Sequence, residues 1–260
     1  MCTLLDDILK TAAWRGKDDF PYDSLVKAEL QKWLQYTKNK GWFDEYLPRL
    51  TKMDINKRDE ALDEILAAYF LEEKMHFVVK DRDPKGANGK RGEFILVAEE
   101  TDIFCEVKSP GWESEIVKKE GVHSSRLSTS KYLSVEARWG DDSAAIKATV
   151  DKAYEKLPND KPSLLIIVDD FWRPLFHPTT FKITIYYALY YETIPEPYKD
   201  PPSGCFAIKD YKNLSGILFL KSQIRNNDFI YSNRLCLNKH ALCTFPSQLL
   251  TSLNGKILIK

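Results

Sequence analysis

The sequence predicts an α/β protein of the α+β type, in which helices flank a mixed β-sheet. Three observations predict this fold class. A long amphipathic segment, 57–74, precedes three short apolar runs; a second amphipathic segment, 143–157, follows them; and the next run, 162–169, is almost wholly apolar. Consecutive strands joined by short turns predict an antiparallel meander, whereas a helix between two strands predicts a crossover that makes those strands parallel.

The first 56 residues predict a helical N-terminal extension. Their apolar residues recur at helical spacing after Asp23 and Ser24, which suit a helix N-cap. The repeating positions are Val26, Leu30, Trp33 and Leu34. We therefore predict two units: the extension over 1–56 and a larger domain over 57–260, whose core is 57–170.

The segment 57–74 has the clearest helical pattern in the chain. Its apolar stripe comprises Leu62, Ile65, Leu66, Tyr69 and Phe70. Glu64 lies toward one edge of that stripe. A strand over 76–80 and a turn region over 81–92 are expected next, with Asn88 and Gly89 at the turn.

Two strands, 93–97 and 102–108, complete the predicted meander. Residues 109–142 contain no predicted element, but basic and aromatic residues are interleaved there. Such a segment is either a clamp that stacks on a nucleic-acid strand or a solvated loop. Beyond the apolar strand, residues 181–191 fit either helix or strand, and additional C-terminal strands are expected over 215–220 and 229–237.

Composition excludes several classes of protein. Apolar residues make up 43% of the chain and charged residues 29%, with a formal net charge of zero, so an anionic partner needs a local basic patch. No apolar run reaches the roughly 20 residues of a membrane span, and acids stand where a signal peptide is basic, so we expect no membrane partner. Five scattered cysteines without CxxC spacing indicate a reducing, cytoplasmic location.

The candidate functional residues lie in the hairpin over 93–108. Glu106 and Lys108 end an apolar strand and project to the same face, because alternate residues of a strand share a face. Charged side chains in such a place need partners or a task. Two carboxylates can hold a divalent metal ion, and a nearby ammonium can stabilise developing negative charge. The simpler interpretation is an ion pair that ends a strand.

Whether Glu93 joins them depends on the register of the hairpin. A two-residue turn at 100–101 would pair Glu93 with Lys108, and a four-residue loop over 98–101 would pair it with Glu106. A three-residue turn would send Glu93 to the other face of the sheet. The functional hypothesis therefore requires one of the first two registers.

This arrangement resembles the PD-(D/E)XK superfamily of restriction-endonuclease-like nucleases. That family has the core order helix, three strands, helix, strand, with an acidic residue early in the second strand and a (D/E)-x-K motif at the end of the third. Glu93 and Glu106-Val107-Lys108 stand at those places, and the resemblance covers about residues 57–170. The pattern GEF…EVKSPGW is also similar to an uncharacterised bacterial branch of this fold. Glu93 replaces the usual Asp, and no Pro precedes it.

The resemblance implies a metal-dependent nuclease that hydrolyses phosphodiester bonds of DNA or RNA. Glu93, Glu106 and the backbone carbonyl of Val107 would hold Mg²⁺, for which Mn²⁺ can substitute. Lys108 would orient the attacking water or stabilise the transition state. Glu64, from the preceding helix, would hold a water of the metal's shell or a second ion; alternatively, it is a charge on the helix surface.

Other basic residues are candidate contacts to the nucleic-acid backbone. They are Lys85, Lys90, Arg91, Lys118 and Lys119. The resemblance also implies a polar residue from the helix over 143–157, for which Lys147, Lys152 and Lys156 are equal candidates. The alternative function is a catalytically inactive module of the same fold that binds nucleic acid or a protein partner. A hydrolase for another phosphate ester is a third hypothesis.

Overall fold

A computed structural model describes residues 4–11, 24–51, 55–108, 142–169, 185–191, 204–226 and 228–253. Within these ranges the chain forms a six-stranded sheet whose spatial order follows the sequence order, β1-β2-β3-β4-β5-β6. The strands are β1 Val78–Arg82, β2 Phe94–Ala98, β3 Thr101–Lys108, β4 Ser163–Asp169, β5 Gly216–Arg225 and β6 Asp228–Leu237.

The sheet is mixed, as the sequence predicts. Strands β1, β2 and β3 form an antiparallel meander, β3 and β4 are parallel, β4 and β5 are parallel, and β6 returns antiparallel to β5. Strand β4 is the apolar run near the centre of the sheet, and its residues 164–168 are buried because helices cover both faces. The predicted fold class and the order helix, three strands, helix, strand are confirmed.

The helices lie close to their expected positions. They are α1 Leu4–Leu9, α2 Ser24–Asn39, α3 Phe43–Leu50, α4 Ile55–Tyr69, α5 Asp142–Tyr154 and α6 Ser247–Ser252. A π-helical turn over Phe70–Lys74 continues α4, and another over Tyr186–Tyr190 shows that the described part of the segment 181–191 is helical. Strand β1 begins two residues later than predicted, because His76 takes a left-handed conformation with a φ of 60°. None of the described helices is long and apolar enough to cross a membrane.

Two hydrophobic cores lie on opposite faces of the sheet. Along β3, Ile103, Cys105 and Val107 pack into the core covered by α1 to α4, whereas Phe104 packs into the core covered by α5. This alternation is the period of two expected for a strand buried on both faces. Glu106 follows Phe104 by two residues, so its side chain lies on the α5 face.

The N-terminal helices belong to the same core as the helix that precedes the meander. Leu30 and Trp33 of α2 are buried with the apolar stripe of α4. The indole of Trp33 donates a hydrogen bond of 2.8 Å to the hydroxyl of Tyr231 on β6, and that hydroxyl donates one of 2.6 Å to Glu29. The predicted N-terminal extension is therefore anchored to the far edge of the sheet.

The turn between β1 and β2 is clamped onto the C-terminal end of α5. Asn88 and Gly89 have φ values of 56° and 69°, which confirms the predicted turn there. The amide of Ala87 donates a 2.8 Å hydrogen bond to the carbonyl oxygen of Lys156. The side chain of Asn88 bonds the carbonyl oxygen of Glu155, and Lys90 forms an ion pair with the Glu155 carboxylate.

We predict that the close packing of the β1–β2 turn against the end of α5 requires a glycine at position 86. A Cβ atom on Gly86 would lie 2.1 Å from the carbonyl oxygen of Lys156, a contact that requires the backbone to move. Gly86→Ala should lower the free energy of unfolding by about 3 kcal/mol. Gly89→Ala, which meets no atom within 4 Å, should cost about 1 kcal/mol from its φ alone. Chemical denaturation measures both, and equal losses would contradict the clamp.

Candidate metal and catalytic site

The β2–β3 hairpin brings Glu93 to the end of β3 that carries Glu106. The paired residues run from Ala98 opposite Thr101 to Phe94 opposite Cys105, which is the register expected for a four-residue loop over 98–101. The backbone amide of Glu93 donates a 2.9 Å hydrogen bond to the carbonyl oxygen of Cys105, so the pairing shifts by one residue at Glu93. The charges of Glu64 and Glu106 both act on the Glu93 carboxyl group and raise its pKa, so these three side chains lie near one another.

The turn that sets this register is shorter than the four-residue loop over 98–101 from which the sequence analysis derives it. It has two residues, Glu99 and Glu100, with φ values of 46° and 63°, as in a type I′ turn. Helix α6 supports this left-handed backbone, because the Glu99 carboxylate accepts hydrogen bonds from the amide of Gln248 and the hydroxyl of Ser247, at 2.8 Å and 2.7 Å. The Glu99 amide in turn donates to the side chain of Gln248.

Glu106 is a fully buried carboxylate with two ammonium partners. Its side chain is 0% exposed, and its Oε1 lies 2.5 Å from the Nζ of Lys108 and 2.6 Å from the Nζ of Lys156. Both of its oxygens are buried, and neither makes a hydrogen bond of good geometry in the part of the chain that the structure describes. The two ion pairs therefore supply the opposite charge that a buried carboxylate needs.

Lys156 is the site residue that could not be singled out from the sequence. It follows the last turn of α5, where the carbonyl of the same residue is held by the β1–β2 turn. The other two candidates differ from it: Lys152 is exposed on α5, and Lys147 lies near Cys205, a thiol whose pKa is raised by burial against the opposing charge of Lys147. The sequence places a lysine just beyond the end of the crossover helix. Choosing it from the three candidate lysines requires the residue at which that helix ends.

Glu93 holds its proton unusually strongly. Burial raises the pKa of its carboxyl group to about 8, and the neighbouring carboxylates of Glu64 and Glu106 raise it further, against the opposing effect of Lys108 and Lys156. Burial and nearby negative charge both disfavour the ionised form of a carboxyl group and so raise its pKa. A divalent cation beside Glu93 would lower that pKa again, because it favours the ionised form.

Lys108 remains charged despite its burial. Burial acts to lower the pKa of its ammonium group, but the adjacent Glu106 carboxylate, with Glu93 and Glu64, outweighs burial and raises that pKa. The ammonium is therefore a permanent positive charge at neutral pH. A permanent charge can stabilise an anionic transition state but cannot act as a general base.

Glu64 is anchored by arginines. It is buried, not a surface charge, and both its oxygens accept hydrogen bonds of 2.6 Å from the guanidinium of Arg49 on α3. Arg82 of β1 lies 3.8 Å away and rests over the ring of Tyr46, 4.0 Å from its centre. Glu64 still contributes to the raised pKa of Glu93. The helical extension thus reaches the edge of the candidate site.

The residues present fit a hard divalent cation that keeps several waters. Among the described residues, no group of three or more His, Cys, Asp or Glu side chains is placed to hold a metal ion. The predicted donor set has two carboxylates, Glu93 and Glu106, and neither oxygen of Glu106 makes a hydrogen bond of good geometry within the described ranges. Mg²⁺ is bound in proteins by one or two carboxylates plus water. Val107 offers only its backbone carbonyl, since its side chain is buried in the opposite core.

Three of the five predicted nucleic-acid contacts lie on the turn that holds the backbone of Lys156. Lys85, Lys90 and Arg91 lie on the β1–β2 turn, where Lys90 is paired with Glu155 and Arg91 donates a hydrogen bond to the carbonyl oxygen of Asp83. These two side chains stabilise the turn. Their contact with a nucleic-acid backbone stays a prediction. Lys118 and Lys119 lie outside the described residues.

Comparisons with known proteins do not assign the chain to a family. No protein-family model matches it, and no curated protein matches it. Among solved structures, SfsA from Pyrococcus furiosus, determined in complex with Ca²⁺, is similar over 69% of this chain and 63% of that chain, at 14% sequence identity and a TM-score of 0.27. The chain thus spans less than two thirds of that protein's length. A likeness this weak carries no argument about activity or ligands.

Loss of Arg49 should be costly because Glu64 would remain buried without its main partner. We expect Arg49→Met to lower the free energy of unfolding by about 3 kcal/mol. Lys57→Met is the control, because Lys57 pairs with Glu60 at the exposed surface of α4, where a pair is worth about 0.5 kcal/mol. Thermal or chemical denaturation compares the two. A loss no larger than that of the control would show that Arg49 does not stabilise Glu64.

The raised pKa of Glu93 predicts the direction of a pH dependence. The folded protein keeps a proton on Glu93 up to about pH 8, whereas the unfolded chain loses it near 4.5. The contribution of Glu93 to stability is therefore full below about pH 4.5 and decreases as the pH rises toward 8. In metal-free buffer, Glu93→Gln should remove this decrease.

Denaturation at several pH values between these limits measures the effect as the difference between wild type and Glu93→Gln. Glu100→Gln, an exposed carboxylate in the turn of the same hairpin, is the control and should leave the pH profile unchanged. Identical profiles for wild type and Glu93→Gln would mean that Glu93 is ionised in the folded protein at neutral pH.

Proposed function

We propose that this protein is a metal-dependent nuclease of the PD-(D/E)XK type that hydrolyses phosphodiester bonds of DNA, or alternatively of RNA. One observation carries the proposal: Glu106, a buried carboxylate paired with the ammonium groups of Lys108 and Lys156, lies near the Glu93 carboxyl group and helps to raise its pKa. The order of elements around this hairpin is the one that the sequence resemblance implies.

In this proposal, Glu93 and Glu106 would hold Mg²⁺, with the backbone carbonyl of Val107 as a further oxygen donor and Mn²⁺ as a substitute. Bound Mg²⁺ would supply Lewis acidity, lowering the pKa of a water and neutralising charge on the phosphate. Glu93 would give up its proton on binding, because a nearby cation favours the ionised carboxylate.

Lys108 has the role of stabilising negative charge at the phosphate. Its ammonium is charged at neutral pH, and its side chain is 28% exposed, so it borders both the buried carboxylate and solvent. A fixed positive charge beside the reacting phosphate lowers the energy of the transition state more than that of the substrate, because charge on the phosphate oxygens changes in the reaction. Glu64 orients its surroundings through Arg49 and Arg82 rather than by binding the metal.

An alternative function has one observation in its favour. Glu64 is bonded to Arg49, and no three carboxylates among the described residues are placed to hold a metal ion together, which favours a non-catalytic module that binds nucleic acid or a protein. Calorimetry with Mn²⁺ separates the two functions. The nuclease should bind Mn²⁺ and lose that binding in Glu106→Gln, whereas absence of binding by the wild type would support the module.

Cleavage assays test the catalytic assignment. We expect the wild type to cleave plasmid or single-stranded substrates in Mg²⁺ or Mn²⁺ and to lose all cleavage in a chelator. Lys108→Met should lower the rate about 100-fold or more. Lys152→Met, which removes an exposed lysine of α5, should leave the rate unchanged. Equal cleavage by the wild type and Lys108→Met would contradict the role of Lys108.

A further inference from the structure

Two ammonium groups share a single oxygen of Glu106. Lys108 and Lys156 approach Oε1 at 2.5 Å and 2.6 Å, although one close cation would balance the charge of the carboxylate. Two like charges this near to each other repel, and each loses part of its hydration. Stability by itself therefore does not account for the second lysine.

We propose that Lys156 is a positioning residue that remains on Glu106 while Lys108 moves to the substrate phosphate, so that the two lysines are exchangeable counter-ions of one buried carboxylate. This inference rests on the proposed nuclease function. Without Lys156, movement of Lys108 toward the phosphate would leave Oε1 of Glu106 buried and without a cation, which costs several kcal/mol. With Lys156 in place, Lys108 is released at little cost.

The surroundings of the two lysines indicate which one stays. The backbone of Lys156 is fixed, because its carbonyl oxygen accepts the hydrogen bond from Ala87, and the next residue, Leu157, is fully buried in the α5 core. The neighbouring Glu155 is held by Asn88 and Lys90 of the same turn. Lys108 is the last residue of β3 and approaches Glu106 from its own strand. The turn between β1 and β2 thus acts as a support for Lys156.

The same arrangement holds the carboxylate of Glu106 in place. Both ammonium groups approach Oε1, and neither oxygen of this buried carboxylate makes a hydrogen bond of good geometry in the described part of the chain. Lys156 would therefore keep Glu106 ionised and fixed when Lys108 leaves it. In the proposed working state, Glu106 keeps its contact with Lys156 while the ammonium of Lys108 contacts the phosphate.

A folding measurement tests the exchange of counter-ions without any cleavage. In metal-free buffer, Lys108→Met and Lys156→Met should each reduce the folding equilibrium constant modestly, because the other lysine still balances Glu106. The double variant should reduce it at least tenfold beyond the product of the two single effects. The pair Lys108→Met and Lys152→Met is the control and should combine without excess. If the double variant Lys108→Met, Lys156→Met reduced the folding equilibrium constant only by the product of the two single effects, the proposal would be overturned.

Kinetics test the positioning role. Lys156→Met should lower kcat at least tenfold with little change in KM, and Lys156→Arg should restore most of the loss, because an arginine can also balance Oε1. In the Lys108→Met background, Lys156→Met should have almost no further effect on kcat, since Lys156 acts through Lys108. An unchanged kcat in Lys156→Met overturns the inference while leaving the nuclease function intact.

The two failures are distinguishable. A wild type that cleaves no substrate contradicts the proposed nuclease function, whereas the folding cycle in metal-free buffer still decides whether the two lysines are exchangeable partners of Glu106. A kcat that falls in Lys156→Met and is not restored in Lys156→Arg would indicate a purely local structural defect and would also overturn the positioning role.

Discussion

The burial of the Glu106 carboxylate is the constraint on which this architecture depends. A charged group that is 0% exposed at the end of an apolar strand is tolerated only with close opposite charge. That charge comes from two directions, along the strand from Lys108 and across the α5 layer from Lys156. Both ammonium groups lie against one oxygen, and neither oxygen makes a hydrogen bond of good geometry among the described residues, so opposite charge rather than directed hydrogen bonding holds this carboxylate in the interior.

Several distant parts of the chain combine to build this environment. Helix α6, near the end of the described chain, holds the left-handed turn at Glu99 and so determines which residues of β2 and β3 face each other. The β1–β2 turn holds the end of α5 and with it the backbone of Lys156. Helix α3 of the N-terminal region supplies Arg49 to Glu64. The site therefore lies where the two helical layers meet the end of the meander, and its charges are set by tertiary contacts rather than by one local motif.

The fold was largely predictable because its signals are local. Apolar runs and helical periodicity locate the strands and α4 to within a few residues, and the position of α5 between two strands predicts their parallel pairing. The hairpin register was left open, because Glu99 and Glu100 are not residues that ordinarily favour a left-handed turn; their conformation is supported by α6, which was not predicted. The partner of Glu64 and the choice of Lys156 were likewise hidden, since each depends on a contact between residues far apart in sequence.

The central claim is that Glu93 and Glu106 together hold a divalent cation beside Lys108. A crystal structure of the Mn²⁺-soaked protein, with the ion located by its anomalous scattering, tests this claim most directly. The account predicts one Mn²⁺ at a coordination distance of about 2.2 Å from one oxygen of Glu93 and one oxygen of Glu106, with Lys156 still in contact with the Glu106 carboxylate. At saturating Mn²⁺, an empty position between these carboxylates, or a Mn²⁺ bound by other residues only, would contradict it.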